Sequence, residues 1–355
     1  MHFVIAGGGT GGHIYPAVAM AERLSDEGTV TMLARCGSLE ERVYCEHGLH
    51  VETVRSAPLM SEPGRLLVFV RATMGGIADA RRIMSQKNTD AFIGTGGYVS
   101  VPGIIAASMR RIPIFLLEQN TVMGRANRLF QHCARRIFLG FPIPGVSGDK
   151  FVLSGNPLRR EVYVALADAR NTVPARQGLL FLGGSGGATF INDLFLRTID
   201  ELDRHGRSTV VSVVTGTDDF ARVKNSLASM RMTHVKAQVS DYEKHPERLY
   251  ASAKVAVTRG GALALTELAS AGIFTVMVPY PYAMEGHQSS NAAYVESLGL
   301  GVRIEQSSFA FDRYMSIVAQ ALDASDDKPI PPTGIFAGDA AKEIASTIVQ
   351  AVFRG

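Results

Sequence analysis

Cysteine is scarce in this chain: Cys36, Cys45 and Cys133 are odd in number and form no C-x-x-C pair. That argues against a disulfide framework and a zinc site, and it fits a reducing cytoplasm. Charge is scarce too. Only 19% of the 355 residues are charged and the formal net charge is +3, too small to indicate a nucleic-acid binder, so no nucleic acid is expected as a partner. No apolar run approaches the roughly 18–20 residues of a membrane span. The first residues lack a cationic n-region, so FVIA reads as a strand and not as a signal peptide. Low-complexity segments are missing, and 46% hydrophobic residues rule out disorder.

The length points to two domains. Charge is unevenly spread between them. Residues 1–156 hold 16 Lys+Arg against 12 Asp+Glu, the remainder 20 against 21, and Thr53–Arg136 alone 12 against 4. A basic face on the first half suits an anionic surface or a phosphorylated substrate; its plainer counterpart is an Arg-rich solvated surface. Apolar strand runs alternate with amphipathic helices throughout. FVIA leads into a glycine loop and a helix over Ile14–Glu27; DAFIG leads to GTGGYVSVP and a helix to about Arg110; PIFLLEQN, RIFLG and FVLSG follow. Near Gly155 the pattern restarts. GLLFLGGSGGATF is again strand, glycine loop and helix, and STVVSVVTG, HVKAQVS, AKVAVTRGG, FTVMVPY and GVRIE supply further strands. Short strands separated by helices predict an α/β fold of two Rossmann-like domains with parallel sheets. The expected domains are 1–156, rejoined by a last helix at about 338–355, and 157–337. Such sheets bind ligands at the carboxyl ends of their strands, so both glycine loops are expected to point into a cleft between the domains.

AGGGTGGHIYP, residues 6–16, fits G-x-G-x-x-G at Gly7, Gly9 and Gly12. Glycines between a strand and a helix let backbone N–H groups approach a phosphate. The dinucleotide fingerprint also requires an acid about 20 residues on, at the end of the second strand. Arg35 stands there, which would suit only NADP, and His13 has no part in dinucleotide binding. The loop therefore reads as a cradle for another phosphate, with an NADP oxidoreductase as the weaker alternative. In the second half, RGGALALTELASAG (259–272) places two glycines before a helix that carries Glu267. A carboxylate there can accept both hydroxyls of a ribose, while the N–H groups of Ala262 and Leu263 face phosphate or sugar; an ordinary surface carboxylate is the bland alternative. His287, Gln288 and Asn291 cluster at the start of the next helix, in a pattern that suits sugar hydroxyls or plain N-capping.

In order and spacing, AGGGTGGHIYP, GTGGYVSVP, LEQN, SGNPLRR, GGSGGA, RGGALALTE and HQSSNA resemble the MurG family of peptidoglycan glycosyltransferases. The resemblance implies a GT-B fold with the acceptor lipid on the first domain and UDP-N-acetylglucosamine on the second. It implies an inverting transfer of N-acetylglucosamine to the C4 hydroxyl of N-acetylmuramic acid in lipid I, the undecaprenyl-pyrophosphoryl-N-acetylmuramyl-pentapeptide. No metal or nucleotide cofactor is implied, and the chain has no D-x-D motif. Carried over by residue, the donor set is Thr10, Gly11, Gly12, His13, Asn120, Arg159, Ser185, Ala262, Leu263, Glu267, Gln288 and Asn291. Glu267 is expected on the ribose, Ser185 on the nucleotide and its phosphates, Arg159 on the departing diphosphate, and Gln288 and Asn291 on the sugar. Gly8, Gly9, Thr10, Gly11, Gly12 and Tyr98 are expected to cradle the acceptor diphosphate. His13, Asn120 and Arg159 form the catalytic set, with His13 the candidate base because imidazole titrates near operating pH. Leu117 stands where the family often has a histidine, Ala264 where a hydroxyl residue is common, and His287 where some members have glutamine. Either Val239 or Ser240 is the expected uracil contact.

A polyprenyl acceptor also requires a membrane surface. GRLLVFVRATMGGIADARRIM (64–84) sets Leu66, Leu67 and Phe69 beside Arg71, Arg81 and Arg82, a patch suited to shallow insertion among anionic phospholipids. Its plainer reading is an amphipathic helix packed on the sheet. The family implies a peripheral protein on the cytoplasmic face of the bacterial inner membrane, in company with other cell-wall synthesis proteins. Two rivals share much of this sequence logic: a UDP-N-acetylglucosamine 2-epimerase, and a non-catalytic binder of UDP-sugar or prenyl lipid.

Overall fold

A computed structural model of the chain describes residues 1–58, 65–172, 176–184, 187–324 and 334–353, leaving aside the side chains of 65–66 and 169–172. It contains two compact units: Met1–Arg160 together with Gly338–Gly355, and Glu161–Ala337. The division falls four residues beyond position 156 because Arg160 is tied to the first unit. Its N–H donates to Glu22 Oε2 at 2.7 Å and its guanidinium pairs with Asp26.

Among the described residues, the first unit has a seven-stranded parallel sheet of β1 (His2–Gly7), β2 (Thr29–Ala34), β3 (Val51–Thr53), β4 (Ala91–Gly96), β5 (Ile114–Glu118), β6 (Arg136–Leu139) and β7 (Phe151–Leu153). The spatial order is β3-β2-β1-β4-β5-β6-β7. Its helices are α1 (Gly11–Leu24), α2 (Leu39–Glu46), α3 (Arg65–Gln86), α4 (Ser100–Met109) and α5 (Arg125–Phe130). α6 (Arg160–Thr172) opens the second unit. β1 is apolar at consecutive positions because helices cover both faces of the sheet. Phe3 and Ile5 pack with Ile14, Ala17 and Val18 of α1, while Val4 and Ala6 pack with Ala80 and Ile83 of α3 and Ile104 of α4.

The second unit repeats the plan. Among the described residues its six-stranded parallel sheet comprises β8 (Gly178–Leu182), β9 (Thr209–Val214), β10 (Val235–Ser240), β11 (Ala253–Thr258), β12 (Phe274–Met277) and β13 (Gly301–Arg303), in the order β10-β9-β8-β11-β12-β13. α7 (Thr189–Arg204), α8 (Phe220–Ser229), α9 (Glu247–Ser252), α10 (Ala262–Ser270), α11 (His287–Ser297) and α12 (Phe311–Asp323) surround it. The stripe Ile191, Leu194, Phe195, Ile199 and Leu202 of α7 recurs every three to four residues and packs on Phe181 and Val211, as an amphipathic helix must. The last helix, α13 (Ala340–Phe353), returns to the first unit. Ile344 and Ile348 complete the α1 side of its core, and Asp339 pairs with Arg23 at 2.5 Å.

The order of strands reverses between β1 and β4 in one sheet and between β8 and β11 in the other. Open α/β sheets bind ligands at this point, because adjacent loops diverge there and leave a crevice at the carboxyl ends. Four glycine loops follow these four strands: GGGTGG after β1, GTGG after β4, GGSGG after β8 and RGGA after β11.

Candidate active site

The two loops of the first unit interlock. Gly8 N–H donates to Gly96 O at 3.4 Å. Gly97 has φ +79°, and a Cβ on it would fall 2.2 Å from Gly8 O, so only glycine allows this approach. α1 starts from Thr10, which is extended and gives no side-chain cap, and its first turn carries no acid. The N–H groups of Gly11 and Gly12 therefore belong to an uncapped helix N-terminus, the arrangement that receives anions. Tyr98 lies against Gly9, its ring 3.3 Å from where a Cβ on Gly9 would be, with the Arg35 guanidinium 6.0 Å from the ring centre. Burial and, second, the Glu40 carboxylate hold the Tyr98 phenol above its ordinary pKa, against the opposing pull of Arg35. Glu40 itself is a residue that sequence reasoning missed. It is buried under the loop, takes the Gly9 N–H on Oε2 at 3.4 Å, and its Oε1 takes no hydrogen bond among the described residues. The cradle thus has a carboxylate beneath it, which opposes any anion above.

His13 leaves the first turn of α1 toward the end of β4. Its Nδ1 lies 2.9 Å from Thr95 O and 3.3 Å from Gln119 Oε1. A backbone carbonyl only accepts, so the hydrogen-bond network assigns a proton to Nδ1, and in the neutral tautomer that this defines the lone pair is on Nε2. Thr95 Oγ1 donates back to His13 O at 2.7 Å, which locks the turn to the strand. Gly96 forms the wall behind the ring: it has φ +103°, and a Cβ there would sit 2.6 Å from His13 Nδ1.

The EQN segment after β5 is organised by Glu118, which is 2% exposed. Its Oε1 accepts Asn120 N–H at 3.2 Å and Asn120 Nδ2 at 3.3 Å. Its Oε2 accepts Gly124 N–H at 2.8 Å and Asn127 Nδ2 at 2.9 Å. Asn120 is thereby fixed next to Gln119, whose Nε2 donates to the same Thr95 carbonyl at 3.0 Å. Asn156 of SGNPL donates to Gln119 O at 3.2 Å. Arg159 is buried with its guanidinium 5.1 Å from the ring centre of Tyr15 on α1. The structure therefore brings His13, Asn120 and the glycine cradle together in one unit, and Arg159 packs on the same helix as His13.

In the second unit Ser185 lies outside the described residues. α10 is capped by Gly261 without a side chain and has no acid in its first turn, so Ala262 and Leu263 open an uncapped N-terminus like that of α1. Glu267 is held by Tyr250, whose hydroxyl donates to Oε2 at 2.6 Å. Gln288 accepts the Tyr280 N–H at 2.9 Å. Asn291, expected on a sugar hydroxyl, is fully enclosed and donates to Gly260 O at 3.0 Å; its amide is committed to holding the RGGA loop against α11. Arg259 is the second residue that sequence reasoning passed over. It is buried, and burial lowers its pKa. It donates to Val278 O at 3.1 Å and Gln306 Oε1 at 2.6 Å, which ties the loop to the end of β12.

On α3, Leu67, Val70, Arg71 and Met74 fall at helical spacing along an exposed stripe; Leu67 is 63% and Met74 67% exposed. Val68 is exposed as well. Arg81 and Arg82 are exposed beyond the stripe, Phe69 is half-buried, and the Leu66 side chain lies outside the described residues. Apolar side chains on the outward stripe of a helix are the reverse of ordinary core packing. No helix among the described residues is long and apolar enough to cross a membrane.

Two parallel-sheet units with glycine loops at both switch points and uncapped helix N-termini beside them are the units of a GT-B fold, and the likeness to known proteins gives its class as glycosyltransferase. The glycosyltransferase family 28 N-terminal domain matches residues 3–139 and its C-terminal domain residues 178–345. A UDP-N-acetylglucosamine–N-acetylmuramyl-(pentapeptide) pyrophosphoryl-undecaprenol N-acetylglucosamine transferase of Coxiella burnetii is 34% identical over 318 residues, covering 86% of each chain. The protein of the same name from Francisella philomiragia is 31% identical over 335 residues, covering 92% of this chain and 90% of that one. The crystal structure of Acinetobacter baumannii MurG superposes with a TM-score of 0.77 at 22% identity, over 98% of this chain and 99% of that one, a likeness of fold. The chain belongs to glycosyltransferase family 28 and, within it, to the family of these N-acetylglucosamine transferases.

Proposed function

We propose that this chain transfers N-acetylglucosamine from UDP-N-acetylglucosamine to the C4 hydroxyl of N-acetylmuramic acid in lipid I, with inversion at the anomeric carbon. The observation that carries the reading is His13, fixed through Nδ1 on Thr95 O and Gln119 Oε1 in a chain of this family. As the acceptor oxygen attacks the anomeric carbon and the bond to UDP breaks, Nε2 takes the hydroxyl proton. The first unit holds the acceptor, its diphosphate at Gly8–Gly12 and Tyr98, with Asn120 beside the base. The second holds the donor, its ribose on Glu267, its phosphates at the α10 N-terminus of Ala262 and Leu263 and at Ser185, and its sugar on Gln288. Asn291 acts through the loop it holds. Arg159 adds positive charge for the departing diphosphate, a form of stabilisation that is often the largest single term in catalysis.

The reaction draws on no metal, so turnover is expected to persist in a chelator. The exposed stripe of α3, with Arg71, Arg81 and Arg82, holds the protein on anionic phospholipid at the cytoplasmic face of the inner membrane, where it meets its acceptor and other cell-wall synthesis proteins. The deciding experiment incubates the protein with UDP-N-acetylglucosamine and a lipid I analogue and follows UDP release. Release that requires the acceptor, and is lost in His13→Ala with UDP binding retained, is expected. Release without acceptor would mean hydrolysis, a changed configuration at C2 epimerisation, and normal turnover in His13→Ala would remove the base from this mechanism. Leu67→Ser with Phe69→Ser should weaken binding to anionic vesicles without unfolding the protein; unchanged binding sinks the membrane assignment.

A further inference from the structure

Beside the glycine cradle, at the carboxyl ends of β2 and β3, the first unit has a cavity of about 820 Å³, to which the reading above gives no ligand although two of its arginines, Arg71 and Arg82, also flank the membrane-facing stripe of α3. Among the described residues Arg35, Arg55, Arg71 and Arg82 line it, with Asp79 the one acid in its wall. Asp79 is already committed: it takes Arg55 Nε and Nη2, each at 2.8 Å, and this pairing holds its carboxyl below the usual range. Three arginines remain. Among the described residues Arg35 and Arg71 have no ion pair, while Arg82 donates to Gln86 Oε1 at 3.4 Å and adds a weaker electrostatic pull on Asp79. A wall with this excess of positive charge calls for an anionic ligand. Val54, Val68 and Ala72 supply apolar wall between the charges, in an open groove whose volume is of the size that small-ligand sites have.

Arg35 links the cavity wall to the cradle. It lies over Tyr98, and Tyr98 lies on Gly9; in the sheet, β2 is the direct neighbour of β1. A ligand whose diphosphate sits at Gly8–Gly12 therefore has this cavity as its lateral extension along the same carboxyl edge. The relatives' acceptor carries a pentapeptide on the sugar that bears the diphosphate. A peptide joined to muramic acid through its amino end keeps a free carboxylate at the other, and five extended residues span about 17 Å. Planar guanidinium groups match carboxylates in pairs, whereas a polyprenyl chain offers them nothing.

We propose that this arginine-lined cavity is the subsite for the carboxylate-bearing peptide of the acceptor, an inference that rests on the transferase reading above. The test measures KM for lipid I analogues in neutral detergent micelles free of anionic lipid, so that attraction to a charged membrane is silent. One analogue carries the peptide as free acid and the other has its carboxylates amidated. The native chain is expected to show a KM for the amide roughly tenfold above that for the acid, the size of a few partly exposed arginine–carboxylate contacts. In Arg35→Gln and, separately, Arg71→Gln that ratio should fall toward one. Equal KM values in the native chain overturn the subsite, as does a ratio preserved in both variants or a defect confined to anionic vesicles. Absence of UDP release with either analogue would instead overturn the transferase reading and the subsite with it.

Discussion

Replacing Glu118 with glutamine keeps its shape and removes its charge, and the consequence can be worked from the four donors around it. The amide oxygen can still serve Gly124 N–H and Asn127 Nδ2, at 2.8 and 2.9 Å in the native chain. The new NH₂ must then face Asn120 N–H and Asn120 Nδ2, at 3.2 and 3.3 Å from the present Oε1. Two donors meet a third donor in a buried site. The loss is roughly 2 kcal/mol, since each unmade bond costs about 1–3 kcal/mol and these two are long. Glu118→Ala abandons all four, for roughly 3–5 kcal/mol. For a unit of this size each kcal/mol moves the midpoint by roughly 2–4 °C, so the first unit should melt roughly 4–8 °C lower in Glu118→Gln. Turnover should suffer more than stability. Gln119, the chain neighbour of Asn120, contacts His13, and a displacement of about 1 Å at a reacting group costs on the order of a hundredfold. Calorimetry and acceptor-dependent UDP release measure both quantities, and UDP affinity serves as the control because Glu118 lies in the first unit. A Glu118→Gln protein with native melting and turnover within twofold of native would refute the view that this carboxylate organises the acceptor side.

Gly96→Ala should displace the His13 ring, because the new methyl would lie 2.6 Å from Nδ1 and φ is +103°. A kcat reduced by roughly a hundredfold with UDP affinity intact is expected; a native kcat counts against the ring's placement. Glu40→Gln removes a buried charge from beneath the cradle, and a unit charge several ångströms from a diphosphate is worth roughly 1–2 kcal/mol at an effective dielectric near 20 or above. The KM for the acceptor should fall by roughly five- to thirtyfold, and a rise would show that the carboxylate is needed to shape the loop. Asp203 accepts the N–H groups of Thr233, His234 and Val235 at the head of β10, which depresses its pKa, the His234 and Val235 bonds most. A depressed carboxylate stabilises the fold above its unfolded pKa and ceases to as pH falls through its folded pKa. Asp203→Asn should therefore lower the melting temperature at pH 7, and the difference from native should close as pH falls below the ordinary carboxylate range; a difference that persists in acid contradicts the charge-based account.

Much of the fold was legible because its signals are local. FVIA, DAFIG and GLLFL each announce a buried strand, and the glycines after them mark the turn into a helix within ten residues. The cradle, its helix N-termini and the family motifs were readable for the same reason. What escaped depends on packing between distant segments. His13 meets Gln119 across 106 positions and Thr95 across 82, and no spacing rule connects them. Glu118 was visible as a letter in LEQN, but its four donors exist only once the chain after β5 folds back. Glu40 sits in an unremarkable helical run, GSLEERV, and Arg259 reads as a surface cation until the end of β12 closes over it. Asn291 gains a role from packing: its residue type suits a sugar contact, and in the fold its buried amide also holds the backbone of Gly260. On α3, periodicity identified the helix but not which stripe faces out, so Val68 and Met74 were passed over in favour of Phe69.

The return of α13 to the first unit also sets an order of assembly. Ile344 and Ile348 close the α1 side of that unit's core, and they leave the ribosome only after every residue of the second unit. The second unit can therefore complete itself during synthesis, while α1 waits with an apolar face in contact with water. Domains made first ordinarily fold first. Here the half that begins earliest finishes last, and for that interval its uncovered face is available to chaperones or to another unfinished copy.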